Sequence, residues 1–224
     1  MLKLAWAVAV KDLRLAIRGA GLVQSMLLGL LLVFLFSLSQ KTGELVPGQT
    51  AAAIFWLSSA FCQTLVFNML FSFEETNGSR TGILLSPCPV TGVFLGKALA
   101  GIVLILAAQL LFFPAVLVFL GQTLADNVLP GLVMLVLADL GLVALGSLLG
   151  ALAQGQTARE SLLSLLVFPL LAPVLLAAIR VFAGLFNEPE AGDCTVWLQF
   201  AAAFDAIFWS LSMLLFRFVY TGDD

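Results

Sequence analysis

The sequence contains no histidine. That absence removes the commonest metal ligand and the commonest general base together. Three cysteines remain, Cys62, Cys88 and Cys194. Their spacing is not that of a zinc site, and without imidazole no nucleophile–base pair can be assembled from the serines and cysteines. Catalysis by this chain and a bound metal are therefore not expected. Charge is scarce as well: ten Lys and Arg and thirteen Asp and Glu make 10% of 224 residues, where soluble domains carry about 25%. No phosphate-binding loop is visible either. Gly92…Gly96-Lys97 is one residue short of that motif and is followed by Ala98, so Lys97 reads as a lysine snorkelling at a helix start. No nucleic-acid partner is expected.

What is present is apolar. Hydrophobic residues make up 62% of the chain, with a mean hydropathy of +1.12, the composition of a polytopic membrane protein. Runs of Leu, Val, Ile, Phe and Ala with scattered Gly and Pro favour helices over a barrel. The expected fold is all-α, a single transmembrane domain over 1–224. At about 20 residues per crossing, the spans are 21–40, 50–73, 93–121, 128–153, 161–186 and 196–220. Pro114 should kink the third near its far end. Pro169 and Pro173 lie in the fifth, where a membrane helix tolerates them. Trp197 suits an interfacial position. There is no internal repeat and no low-complexity segment.

Residues 1–18 are amphipathic. Leu2, Trp6, Ala9, Val10, Leu13 and Ile17 recur at helical spacing, and Lys3, Lys11, Asp12, Arg14 and Arg18 hold the other side. Charges spread through the segment and no cleavage signature follows, so a helix lying at the membrane surface fits better than a signal peptide. Lysine and arginine set the orientation. With the N-terminus in the cytoplasm, Lys3, Lys11, Arg14, Arg18, Arg80, Lys97, Arg159 and Arg217 fall on that side, and only Lys41 and Arg180 on the other. The positive-inside rule then places both termini in the cytoplasm.

The longest break in this apolar chain is 71–97. Glu74 and Glu75 are followed by the turn pair Asn77-Gly78, a short apolar segment, and a Ser86-Pro87-Cys88-Pro89 stop. So many polar groups need water or a protein interface. Asn77-Gly78-Ser79 can cap a short helix, Leu84 and Leu85 can form its docking face, and the prolines end it. The segment 74–90 is thus read as a cytoplasmic coupling helix that docks on a soluble motor.

Three charges fall within spans: Asp139, Arg180 and Asp205. Each costs roughly 2.5–3.5 kcal/mol at a helix centre, so each should face inward or be paired. Arg180 and Asp205 lie at comparable depth on neighbouring spans and are expected to pair; Asp139 lies near the midplane without an evident partner. Gly92-x-x-x-Gly96 and Gly146-x-x-x-Gly150 permit close helix approach. By the topology, no two cysteines can pair within the chain; they read as small apolar residues, with a bond from Cys194 to a partner outside the cytoplasm as the alternative.

The pattern F-x-x-E-x-x-N-G-S…I-L-L-S-P-x-P-x-x-x-x-F-L-G-K over 71–97 resembles the haem exporter protein B family. So do K-D-L-R-x-x-x-R at 11–18 and F-P-L-L-A-P-V-L-L at 168–176. The resemblance implies an ABC-2-type permease of a bacterial inner membrane, serving haem export and cytochrome c biogenesis. It implies an ABC ATPase subunit docked on 74–90, through Glu74, Glu75, Asn77, Gly78, Leu84, Leu85 and Pro87. A haem-handling membrane protein, a small single-span subunit and a second copy of this chain complete the expected assembly. ATP hydrolysis in the partner would release a haem-loaded periplasmic chaperone. This chain would bind neither ATP nor haem, because imidazole, the usual axial ligand, is missing. The competing readings are an ABC-2-type permease exporting another substrate, such as a lipid-linked glycan or a drug, and a secondary transporter. The latter predicts inverted halves and more paired intramembrane charges.

Overall fold

A computed structural model of the chain describes residues 1–40, 46–76, 82, 89–153, 159–186 and 193–221, with 75, 76, 159–166 and 221 described in backbone only. Among the described residues there are seven long helices and no strand. They are α1 (Leu2–Arg18), α2 (Ala20–Ser39), α3 (Gly48–Thr76), α4 (Val90–Phe119), α5 (Leu129–Leu152), α6 (Arg159–Leu185) and α7 (Cys194–Thr221). The six from α2 to α7 are long and apolar enough to cross a membrane, as the hydropathy predicted. Pro114, Pro169 and Pro173 all lie inside helices. The breaks between helices fall where backbone freedom is available. Gly19 is extended between α1 and α2, and Gly121 takes a φ of +66° just beyond α4, a left-handed conformation that glycine adopts at little cost.

The bundle is built around α3. Its Phe55, Trp56, Phe67, Leu70 and Phe71 are fully buried, and Phe55 stacks on Phe182 of α6 with ring centroids 5.2 Å apart. At the periphery, α2 and α7 present Leu27, Leu31, Leu35, Ile207, Leu214 and Phe218 outward. Helices in lipid gain no hydrophobic drive from associating, so close backbone approach and shape must hold them. Both glycine pairs serve that end. Phe67 and Phe71 of α3 fill the notch left by Gly146 and Gly150 on α5. The other pair, Gly92 and Gly96 on α4, receives Leu4 and Val8 of α1. At the end of the bundle away from the N-terminus, Gln122 donates to the Val46 carbonyl at 2.8 Å. The Ala125 amide donates to the Leu185 carbonyl at 2.9 Å.

The packing of α1 corrects the sequence expectation. Its buried residues are Ala5, Val8, Ala9, Asp12 and Ala16. Leu2, Trp6 and Ile17, read as the apolar side of a helix at the membrane surface, are 84%, 65% and 72% exposed, whereas Asp12, expected with the bases on the other side, is buried. Close approach to Gly92 and Gly96 is the physical reason, because only a face of small side chains lets two helix backbones come that near.

A methyl group on Gly96 would sit 2.6 Å from Val8 Cβ and 2.7 Å from the Ala5 carbonyl oxygen, and backbone cannot step aside. Gly96→Val should therefore destabilise the chain by about 1–3 kcal/mol, read as a lowered unfolding midpoint in detergent. Val136→Ala, on an outward position, should stay within about 0.5 kcal/mol.

Candidate functional site

The last turns of α3 point Phe67, Leu70, Phe71 and Glu74 inward at helical spacing, and all four are fully buried. Glu74 meets charges from two other helices. Lys97 of α4, also fully buried, brings its Nζ to 2.9 Å from Glu74 Oε1 and 3.4 Å from Asp12 Oδ2. Lys11 of α1 reaches 3.3 Å from Glu74 Oε1 and 3.1 Å from Asp12 Oδ1. From α7, the Tyr220 hydroxyl donates to Glu74 Oε2 at 3.1 Å. Lys97 also donates to the Leu70 carbonyl at 3.1 Å and lies 4.3 Å from the centre of the Phe71 ring.

The arrangement is neutral overall, with two ammonium groups against two carboxylates. Lys97 has three donors and finds Glu74, Asp12 and Leu70 for them. The Phe71 face adds a cation–π contact. Burial works against the Lys11 ammonium, but the Asp12 and Glu74 carboxylates and its hydrogen bonds to them outweigh it, and its pKa is raised. A raised lysine keeps its contribution at neutral pH and gives it up only as pH rises through the elevated value. Lys97 is thus no snorkelling lysine: its ammonium turns inward, because the charged ends of α1 and α3 offer it partners that water would otherwise supply.

The sequence expectation placed Glu74 in a polar segment that meets a soluble motor, whereas the structure buries it completely in α3, and Lys11, Asp12, Lys97 and Tyr220 were missed as its partners. Signals existed. Asp12 shares its helix face with Ala5, Ala9 and Ala16, and Tyr220 is the chain's one tyrosine. Glu75 lies on α3, with its side chain outside the described residues, and Asn77, Gly78, Leu84, Leu85, Pro87 and Cys88 lie outside them altogether.

The intramembrane charges do not pair as expected. Arg180 is exposed, while both carboxylate oxygens of the buried Asp205 lack a hydrogen-bond partner among the described residues. Asp205 packs on α5 where Gly141 offers room; a Cβ there would lie 2.8 Å from Oδ1. Equal depth on neighbouring spans did not bring the two side chains together, because they leave their helices on different sides. Asp139, expected alone, has a partner: Gln109 of α4 donates to its Oδ1 at 2.7 Å. Gln109 also forms the polar wall of an otherwise apolar cavity of about 410 Å³ among α4, α5 and α6, lined by Leu106, Phe113, Leu132 and Phe182 among others. Cys62 is buried, and neither it nor Cys194 is in a disulfide.

Comparison with known proteins adds an independent finding. The family model described as CcmB protein matches residues 3–217. The heme exporter protein B of Haemophilus influenzae is 30% identical over 190 residues, which cover 83% of this chain and 85% of that protein.

Breaking the ion cluster on one side should cost more than removing it. Lys97→Met leaves two buried carboxylates with only the part-exposed Lys11 ammonium between them and should cost about 3–5 kcal/mol. The triple change Lys97→Met, Glu74→Leu, Asp12→Leu should recover much of that loss. Tyr220→Phe leaves Glu74 Oε2 without its donor and should cost about 1–3 kcal/mol. Unfolding midpoints of the purified variants in one detergent check all three.

Proposed function

The chain belongs to the CcmB protein family, and from that membership we propose that it is the membrane-spanning permease subunit of an ABC transporter for haem export in cytochrome c biogenesis. It sits in a bacterial inner membrane with both termini in the cytoplasm. Its partners are an ABC ATPase subunit, a haem-handling membrane protein, a small single-span subunit and a second copy of itself. ATP is hydrolysed in the partner, and the work done is release of a haem-loaded chaperone on the periplasmic side. Haem is held by the partners, since a chain without histidine offers iron only methionine, cysteine or tyrosine.

The observation that carries the coupling part is the place of the ion cluster. Glu74 stands where α3 gives way to the segment that precedes α4, and it is tied at once to α1, α4 and α7. We assign 74–90 as the coupling segment that docks on the ATPase, with Glu75, Asn77, Gly78, Leu84, Leu85 and Pro87 meeting it. Glu74 acts from inside, carrying a displacement of that segment into three helices. α1 is then an interfacial helix that moves with the cluster rather than an anchor beside it.

Affinity purification of the tagged chain from its native membranes tests the reading. The wild type should bring down an ABC ATPase and a haem-binding membrane protein. Leu84→Asp should accumulate normally and lose the ATPase. An ATPase recovered without haem proteins would move the substrate to another exported molecule, and no ATPase at all would overturn the proposal.

A further inference from the structure

Once its inner face is packed against α4, α1 still presents two exposed faces, one apolar and one cationic. Leu2, Trp6 and Ile17 form the apolar one, and Lys3, Arg14 and Arg18 are exposed beside them. Asp12, the one acid on this helix, is turned inward to the two lysines, so the outer side of α1 carries no carboxylate. Lys11 is turned to its carboxylates, but Arg14 and Arg18, four residues apart and both exposed, are a like-charged pair that repels itself unless an anion lies beside it. A shallow pocket of about 500 Å³ lies along this face, and its lining among the described residues is Trp6, Ala7, Val10, Lys11, Arg14, Leu15 and Arg18, all from α1.

The height of the pocket is set by the chain itself. Arg18 ends α1, and after Gly19 alone the apolar span of α2 begins at Ala20. The cationic face therefore ends at the level where the hydrocarbon begins, which is where lipid headgroups stand. We propose that this outer face of α1 binds the headgroup of an anionic phospholipid. The guanidinium groups of Arg14 and Arg18 take the phosphate in paired hydrogen bonds, and Lys3 adds charge. Trp6, Leu2 and Ile17 enter the acyl boundary, with the Trp6 indole at the headgroup level. An acidic protein surface would match the row of bases but leave the adjoining apolar face in water, and a free phosphate would make no use of it. The proposal rests on the membrane placement of α2 to α7 but not on the transporter reading.

The test is lipid retention by the purified full-length chain, measured by native mass spectrometry after titration with phosphatidylglycerol or phosphatidylcholine, each against inorganic phosphate as competitor. Phosphatidylglycerol should be retained in preference. Arg14→Gln and Arg18→Gln should each weaken its retention about fivefold, given roughly the attraction one basic residue contributes at an anionic surface. The doubly substituted Arg14→Lys, Arg18→Lys chain keeps the charge but not the paired hydrogen bonds, and should retain more lipid than the Gln variants and less than the wild type, which separates loss of charge from loss of fold. Trp6→Ala should weaken retention of phosphatidylglycerol. Equal retention of the two lipids, or an unchanged Arg14→Gln, Arg18→Gln chain, overturns the proposal. Displacement of the lipid by inorganic phosphate also overturns it, in favour of a plain anion site. Arg14- and Arg18-dependent capture of an acidic protein in lipid-free detergent overturns it in favour of a protein interface. ATPase copurification is read separately, so a failure here leaves the transporter reading standing, and the reverse holds too.

Discussion

Four charged side chains from three helices meet at one end of the bundle, and two carboxylates and one ammonium among them are wholly out of water. Each such ion loses several kcal/mol of hydration, which only good geometry and full hydrogen bonding offset. Lys97 is the pivot, since it alone touches Asp12, Glu74 and the α3 backbone. A shift of one helix by a residue would leave one of these charges alone in an apolar surrounding. The cluster therefore sets the register of α1, α3 and α4, and Tyr220 brings in α7.

The rest of the packing is built to let that meeting happen. Lys97 reaches Asp12 because the residue before it, Gly96, admits α1 to within contact of the α4 backbone. Further along, Phe67 and Phe71 of α3 enter the space that Gly146 and Gly150 leave on α5. The same Phe71 ring carries the Lys97 ammonium on its face. Small residue against large, notch against ring, is the packing expected where lipid competes for every apolar surface. The ion cluster and the glycine notches are in this sense one construction.

Polar groups deeper in the bundle are treated differently. Gln109 and Asp139 satisfy each other in part, and Asp205 rests against a glycine with neither oxygen bonded among the described residues. Buried carboxylates at membrane depth are costly and mark functional positions more often than structural ones. Gln109 joins that acid to the apolar cavity among α4, α5 and α6. In the proposed permease, movement would enter through Glu74 at one end and be felt at these groups through α4, which carries both Lys97 and Gln109.

Composition and hydropathy alone determined that the chain is helical, with six segments long and apolar enough to cross a membrane, since both follow from the cost of leaving backbone or polar side chains in hydrocarbon. The glycine pairs were legible as places of close approach, and the motif over 71–97 as a family signature. Glu74 stood out at the end of an apolar run and was read as part of a docking segment, whereas the structure turns it inward. Its partners were not legible: Lys11, Asp12, Lys97 and Tyr220 lie far from it in sequence, and nothing in a one-dimensional pattern says which distant charges meet. For the same reason depth arithmetic paired Arg180 with Asp205, though two residues at one height on neighbouring helices meet only if both rotations agree. Periodicity likewise put Asp12 with the bases on the polar side of α1, whereas the tertiary structure packs the face that carries Asp12 against α4. How near two helices can come is decided by the pair of surfaces in contact, and neither sequence segment contains that information by itself.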